Sequence, residues 1–225
     1  SHFVRIIARS VDMSKFNIPH KQKNSNDPYV VTMVGRITPL KGHAYFLKAM
    51  AQVARNIPDL KVQIIGDASA NRMGYKEELI VLTKRLGIAH LVDFMGNRRD
   101  IPQLLSHSDC LVLSTVTQEA FGRVILEAQA AGVPVVASKV GGVAEIIDHE
   151  KTGLLVPPKD VDAIAKEVIR VLKNPEFAQQ MVKASQEKIA DRYTLKHMAE
   201  ATLQVYRESI SSLNILVIKL TAVGD

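Results

Sequence analysis

The stretch "CLVLSTVTQEAFGRVILEAQAAGVPVVAS", residues 110 to 138, begins in a short apolar run, crosses a polar loop, and returns to a second apolar run about one helix later. Neither "CLVLS" (110 to 114) nor "VPVVAS" (133 to 138) alternates polar with apolar residues, so each reads as a strand covered on both faces. Between them stand two carboxylates, Glu119 and Glu127. Helix neighbours meet at three or four residues, and these are eight apart, which places Glu119 in the loop and Glu127 inside the helix. Strand, crossover helix and strand make the repeating unit of a parallel sheet.

Working outward, the same apolar signature recurs at "YVVTMVG" (29 to 35), "KVQIIG" (61 to 66), "LVDFMG" (91 to 96) and "GLLVP" (153 to 157). The spacing leaves room for one helix between most of them. In the first interval Phe46, Leu47, Met50, Val53, Ala54 and Ile57 fall on one stripe, with Lys48, Gln52 and Arg55 facing away. After "GLLVP" only helical patterns remain: about 160 to 173, 175 to 191 after a break at Asn174-Pro175, and 194 to 211 with Thr194 as cap. These helices are expected to cover one side or edge of the sheet. The predicted fold is α/β, a Rossmann-like doubly wound parallel sheet of about six strands with C-terminal helices. The predicted organisation is a lead-in over 1–27, one domain over 28–211, and a tail over 212–225.

Composition narrows the function. With 225 residues, 47% of them hydrophobic, the chain can bury a sizeable core. Lys+Arg 29 against Asp+Glu 23 leaves a net charge of +6, which suits an anionic partner such as a phosphate ligand. The basic residues are scattered, there is no Trp, and no zinc-finger spacing occurs, so nucleic acid is not the expected partner. The single Cys110 sits inside an apolar run and reads as a buried, inert thiol. No stretch is long and apolar enough to span a bilayer and no signal-peptide pattern opens the chain, which points to the cytoplasm. The opening Ser1-His2 and the lack of an initiator Met fit a piece of a longer protein.

In an open parallel sheet, ligands bind beyond the carboxyl ends of the strands where the strand order reverses, so the loops there carry the chemistry. In "GRITPLKG" (35 to 42), Arg36 and Lys41 bracket a turn at Pro39, and Gly42 opens a helix. A guanidinium and an ammonium near a helix start make a seat for a diphosphate, although a solvated basic turn has the same composition. The second loop, "TVTQEAFG" (115 to 122), offers Glu119, unhindered backbone, and a helix whose second turn carries Glu127. Carboxylates suit vicinal diols because each oxygen accepts a hydrogen bond. Glu127 would hold a ribose, Glu119 a second sugar, and the helix start the phosphates; the alternative is one carboxylate near a helix N-terminus and one on a helix surface. No phosphate-loop lysine motif and no G-x-G-x-x-G occur.

"GRITPLKG", "IIGD", "EAFGRVILE" followed by "AQAAGVPVVAS", then "GGVAEII" and "TGLLVPPKD", in this order, resemble the donor domain of the family-four retaining glycosyltransferases of GT-B fold, over about residues 4 to 210. The resemblance implies one half of a GT-B fold. It implies that Arg36 and Lys41 meet the donor diphosphate and, with Glu119 at the transferred sugar, form the catalytic set. Gly35, Gly66, Phe121, Gly122, Val124 and Glu127 would contact the nucleotide sugar, with Glu127 on the ribose and the region from Asn97 to Ile101 along the base. Gly141 and Gly142 look like close-approach glycines, with ordinary turns as the alternative. No metal or cofactor is implied; the substrate would be a UDP- or GDP-linked sugar, and the acceptor, a glycan or lipid-linked glycan such as lipopolysaccharide or capsule, would bind an absent N-terminal domain. The parent would be cytoplasmic, with a peripheral place at the inner face of the plasma membrane. Ala8, Ser10 and Ala144 depart from the family pattern at the hinge and one turn. A nucleotide-sugar 2-epimerase and a non-catalytic binding module share the architecture and stay open. The tail "LNILVIKLTAVGD" (213 to 225) is similar to the opening strand of a lipopolysaccharide heptosyltransferase, which would put Asp225 toward an acceptor; a tail pairing with a sheet edge is the other reading.

Overall fold

A computed structural model describes residues 5–19, 24 and 27–211 of the chain. The six apolar runs form six strands: β1 (Tyr29–Val34), β2 (Leu60–Ile65), β3 (Val92–Gly96), β4 (Cys110–Leu113), β5 (Val135–Ser138) and β6 (Leu154–Val156). All neighbouring pairs are parallel, in the order β3-β2-β1-β4-β5-β6. This is the expected Rossmann-like α/β sheet. The chain winds from β1 out to β3, then returns to lay β4 against the free side of β1, with Val31 opposite Cys110 and Thr32 opposite Leu111. The strand order reverses there, so the loops leaving β1 and β4 diverge around a crevice.

The helices are α1 (His43–Ala54), α2 (Met73–Arg85), α3 (Ile101–Ser106), α4 (Arg123–Ala130), α5 (Val143–Ile146), α6 (Val161–Lys173), α7 (Pro175–Arg192) and α8 (Leu195–Ser211). Side chains of a strand alternate between faces, and two hydrophobic clusters result. Cys110 and Val112 join Phe46, Leu47, Met50, Ile164 and Val168 in one; Leu111 and Leu113 join Ile125, Leu126 and Ile189 in the other. Every residue of β4 and β5 is buried, whereas no residue of the edge strand β3 is. At about 1.5–3 kcal/mol per fully buried Leu or Val side chain, the central strands anchor the sheet and β3 contributes least.

Two expectations need correction. The C-terminal helices, expected on one side or edge, do not share one side. Helix α6 packs with α1, while α7 packs with α4 and places Met181 in the first cluster and Ile189 in the second. The reason lies in their stripes: α6 buries a broad face from Ile164 to Leu172, but α7 buries only Met181, Ser185 and Ile189, a narrow line able to follow a boundary between two layers. The α1 stripe is also wider than predicted, since His43, Ala49 and Ala51 are buried too, and Ile57 lies beyond the helix end.

The break at Asn174-Pro175 occurs as expected, with Pro175 opening α7. Thr194 caps α8 by accepting a 3.3 Å hydrogen bond from the His197 amide. Before β1, Val11 and Phe16 are buried in the second cluster, and the Val11 amide donates to the Tyr193 carbonyl at 2.9 Å. The strand predicted within 213–225, with Asp225, lies outside the described residues.

Candidate functional site

Two loops meet at the crevice. The first leaves β1 through Gly35, Arg36 and Ile37, makes a 3-10 turn over Pro39–Lys41, and enters α1 at Gly42, whose φ is +76°. A side chain at Gly42 would collide with the Ser114 carbonyl, so only glycine lets the start of α1 lie against the end of β4. The Ser114 hydroxyl donates to the Lys41 and Gly42 carbonyls, each at 3.1 Å, and the Val116 amide donates to the Leu40 carbonyl at 2.9 Å. The two loops are thereby stitched together along their backbones.

The second loop presents Glu119. Its Oε2 accepts from Lys41 Nζ at 2.6 Å and from Thr115 Oγ1 at 3.2 Å. The pair is largely sheltered, with side-chain exposures of 14% for Glu119 and 28% for Lys41. The backbone of Glu119 is also fixed: the Gly142 amide donates to its carbonyl at 2.9 Å, and any Cβ on Gly141 would collide with that same residue. The close-approach reading of Gly141 and Gly142 therefore holds. Gly122 follows as the N-cap of α4 and has no side chain to close it; the Ile125 amide returns to the Gly122 carbonyl at 2.8 Å, while the Arg123 and Val124 amides, at the positive end of the helix dipole, have no backbone partner among the described residues.

Glu127, in the second turn of α4, pairs with Arg123 of the same helix at 3.0 Å. Burial pushes its carboxyl above the usual carboxylate range, and the Arg123 charge works against that rise. Phe121 packs its ring edge-on against Tyr193, with centroids 6.3 Å apart, and the Tyr193 hydroxyl donates to the Glu145 carbonyl at 3.2 Å. Val124 packs on the second cluster. Both side chains are thus engaged by protein, and what these residues can offer a ligand is backbone.

Arg36 is exposed beside this pair of loops, and no described residue pairs with it. Gly66 lies against the Gly35 carbonyl, and its amide donates to Gly96 at 2.8 Å, so Gly35, Gly66 and the exposed Asn97 line one carboxyl edge of the sheet. Ile101 opens α3 and packs on the second cluster. Asn97 follows β3, two strands from β1 and so about 10 Å away at ordinary strand spacing. The structure therefore brings Lys41, Glu119 and Gly122 together and sets Asn97 and Ile101 at the flank.

Four residues of this neighbourhood escaped the sequence reading. Thr115 and Ser114 immediately follow a strand, where polar residues are unremarked; Tyr193 is far along the chain from Phe121. Arg123 stands four residues before Glu127, a spacing that could have announced the ion pair. His43, the first residue of α1, is fully buried, and among the described residues neither ring nitrogen makes a well-formed hydrogen bond, the Thr38 backbone interacting only weakly. Burial lowers its pKa to about 4, the Thr38 backbone opposing and the Lys41 charge assisting. Cys110 is buried, and burial drives its thiol pKa upward, as an inert core thiol requires. A groove of about 570 Å³ between α1 and α2, lined among others by Lys48, Tyr75, Glu78 and Arg85, includes none of the predicted site residues.

A doubly wound sheet with polar loops around its switch point belongs to the Rossmann-like class that receives nucleotides in that crevice. The chain belongs to the family described as glycosyl transferases group 1, whose profile matches residues 14–188. It is 36% identical over 195 residues to an uncharacterized glycosyltransferase of Methanocaldococcus jannaschii, covering 86% of this chain and 48% of that protein. It is similar to the crystal structure of Anabaena HepE in complex with UDP and glucose, with a TM-score of 0.80 and 27% identity over 92% of this chain and 56% of that one. It is similar, too, to the C-terminal domain of a glycosyl transferase group 1 family protein, LpcC, from Francisella tularensis, with a TM-score of 0.73 and 26% identity over 82% of this chain and 99% of that one. The chain thus spans about half the length of the curated relatives it matches. Among the described residues no helix is long and apolar enough to cross a membrane.

Proposed function

We propose that residues 28–211 are the donor-binding half, the C-terminal one, of a family-four retaining glycosyltransferase of GT-B fold. The observation that carries this reading is the 2.6 Å meeting of Lys41 and Glu119, one from each loop of the switch-point crevice, beside the uncapped start of α4. A cation, a fixed carboxylate and a set of free amides match the diphosphate, the sugar hydroxyls and the phosphate oxygens of a nucleotide sugar. In this assignment Arg36 and Lys41 stabilise charge on the departing diphosphate as the bond to the sugar breaks. Glu119 orients the transferred sugar, Phe121 and Gly122 offer backbone, Glu127 holds the ribose diol, and Asn97 to Ile101 flank the base.

The sugar is read as a hexose carried by UDP or GDP, and its transfer retains configuration. The acceptor is a bacterial surface glycan such as lipopolysaccharide or capsule, held by a further domain that completes the cleft. The reaction belongs to the cytoplasmic side, with the whole enzyme at the inner face of the plasma membrane. Residues 1–27 act as the interdomain lead-in and 212–225 as a tail. Since orientation in a closed cleft is worth about 7–11 kcal/mol of barrier, this chain by itself binds donor without turning it over.

Titration calorimetry of the chain with UDP, GDP and their glucose or mannose conjugates tests the assignment. One base binds measurably, and Arg36→Ala weakens it at least about tenfold, the scale of one charged hydrogen-bonding partner. Unchanged affinity in that variant removes Arg36 from the site.

A further inference from the structure

We infer that the Lys41–Glu119 pair makes this site prefer a nucleotide sugar over the bare nucleoside diphosphate, and that Thr115 is the positioning residue that sets the preference. The inference rests on the donor reading given above.

The pair is asymmetric. Glu119 cannot follow a ligand, because its backbone is held by Gly142 and enclosed by Gly141 and its Oε2 is held by Thr115, a fully enclosed residue 2% exposed. Lys41 projects from a 3-10 turn on a flexible four-carbon stem and can turn. When a diphosphate arrives it draws the ammonium, and Glu119 is left with the Thr115 hydroxyl as its hydrogen-bond donor while a second anion stands close by. A sheltered carboxylate stripped of its cation is costly, and the nearby anion adds to the cost.

A sugar on the diphosphate changes this balance. Among the described residues nothing donates to Glu119 Oε1, so sugar hydroxyls have one free oxygen and can share the other with Thr115. They supply the donors that Lys41 withdraws. Sugar and diphosphate therefore assist one another's binding through the same carboxylate, and linkage makes the effect reciprocal. Once the sugar has been transferred, Glu119 competes again for Lys41 and the diphosphate loses one of its two cations, so the pair promotes product release. The Arg123–Glu127 pair is built differently: both partners stand on α4 and Arg123 is 65% exposed, so it joins no second loop to the site, although Glu127 at 18% is nearly as sheltered as Glu119.

The test is calorimetry of the 225-residue chain with UDP and UDP-glucose, or the guanosine pair if that base binds. The expected wild-type result is tighter binding of the conjugate. Glu119→Gln removes the competition, so diphosphate affinity rises about tenfold while the conjugate gains nothing, and the preference collapses. Thr115→Val acts in the opposite direction, since Glu119 then has no donor once Lys41 leaves: diphosphate binding weakens, the conjugate changes less, and the preference widens. Thr115→Ser restores the wild-type ratio. A purely structural role for Thr115 would weaken both ligands alike, and that result overturns the inference, as does unchanged or weaker diphosphate binding by a Glu119→Gln protein that unfolds at the wild-type temperature. A wild-type chain that binds neither ligand overturns the donor reading itself; one that binds both, with the ratio unmoved by either variant, overturns only the coupling.

Discussion

Glu119 and Glu127 carry the same charge and are each paired to one cation, but the two pairs are built on different scales. Glu127 takes Arg123 from one turn earlier on its own helix, a pair specified by spacing alone. Glu119 takes Lys41 from 78 residues away, a pair that exists only because β4 returns to the side of β1 and two glycine contacts let the loops touch. An i,i+4 pair on an isolated helix is worth about 0.3–0.5 kcal/mol, and in this one the arginine is exposed while the carboxylate is sheltered. The sheltered pair depends on the whole fold, and the fold therefore controls where its charge sits.

The largest way to break this contrast is to push Glu119 off its seat. Gly141→Ala places a side chain against the Glu119 backbone at a φ of +51°, and should cost about 4 kcal/mol in urea unfolding. Gly87 has a φ of +73° but open space around it, so Gly87→Ala should cost only about 1 kcal/mol. Equal losses would mean that backbone strain, not the contact with Glu119, governs both sites.

The next effect comes from beneath Lys41. His43 has a folded pKa of about 4 against 6.5 unfolded, so the unfolded chain takes up its proton first as pH falls. Stability that is intact above pH 6.5 is then lost on the way down to about pH 4, by about 3 kcal/mol at the full pKa difference. His43→Leu should flatten that acid limb when urea midpoints are compared across this window. An unchanged limb would assign the acid sensitivity to other groups.

The smallest effect sharpens the local half of the comparison. Arg123→Ala should cost about 1 kcal/mol or less, and raise the Glu127 carboxyl pKa further, since the charge opposing its burial is gone. Carboxyl carbon shifts followed through a pH titration read this directly. A downward shift would show that Arg123 desolvates Glu127 more than it neutralises it.

These two scales also explain what the sequence could disclose. The six strands were visible as short, mostly apolar runs at helix-length spacing, unbroken in β4 and β5 because those two are buried on both faces, and Glu127 was placed inside a helix by counting alone. The switch-point crevice followed from strand–helix alternation. What stayed hidden was tertiary. Nothing near Thr115 announces that its hydroxyl will reach Glu119, nothing near Phe121 announces Tyr193, and the narrow buried line of α7 does not say which two layers it will join. The glycines at 141 and 142 suited a close approach and an ordinary turn alike; the structure decides for the approach and names the Glu119 and Ala120 backbone as what they admit.

Tyr193 has a consequence for anyone recombining such proteins. Its ring supports Phe121, its hydroxyl holds the carbonyl of Glu145, and its own carbonyl receives the amide of Val11, a residue that precedes the first strand. The module that can be exchanged between relatives without exposing the Phe121 loop is therefore longer than the sheet. A chimera joined at the sheet's limits, Tyr29 and Val156, leaves out both Val11 and Tyr193; junctions placed before Val11 and after Tyr193 carry that support along with the loop it braces.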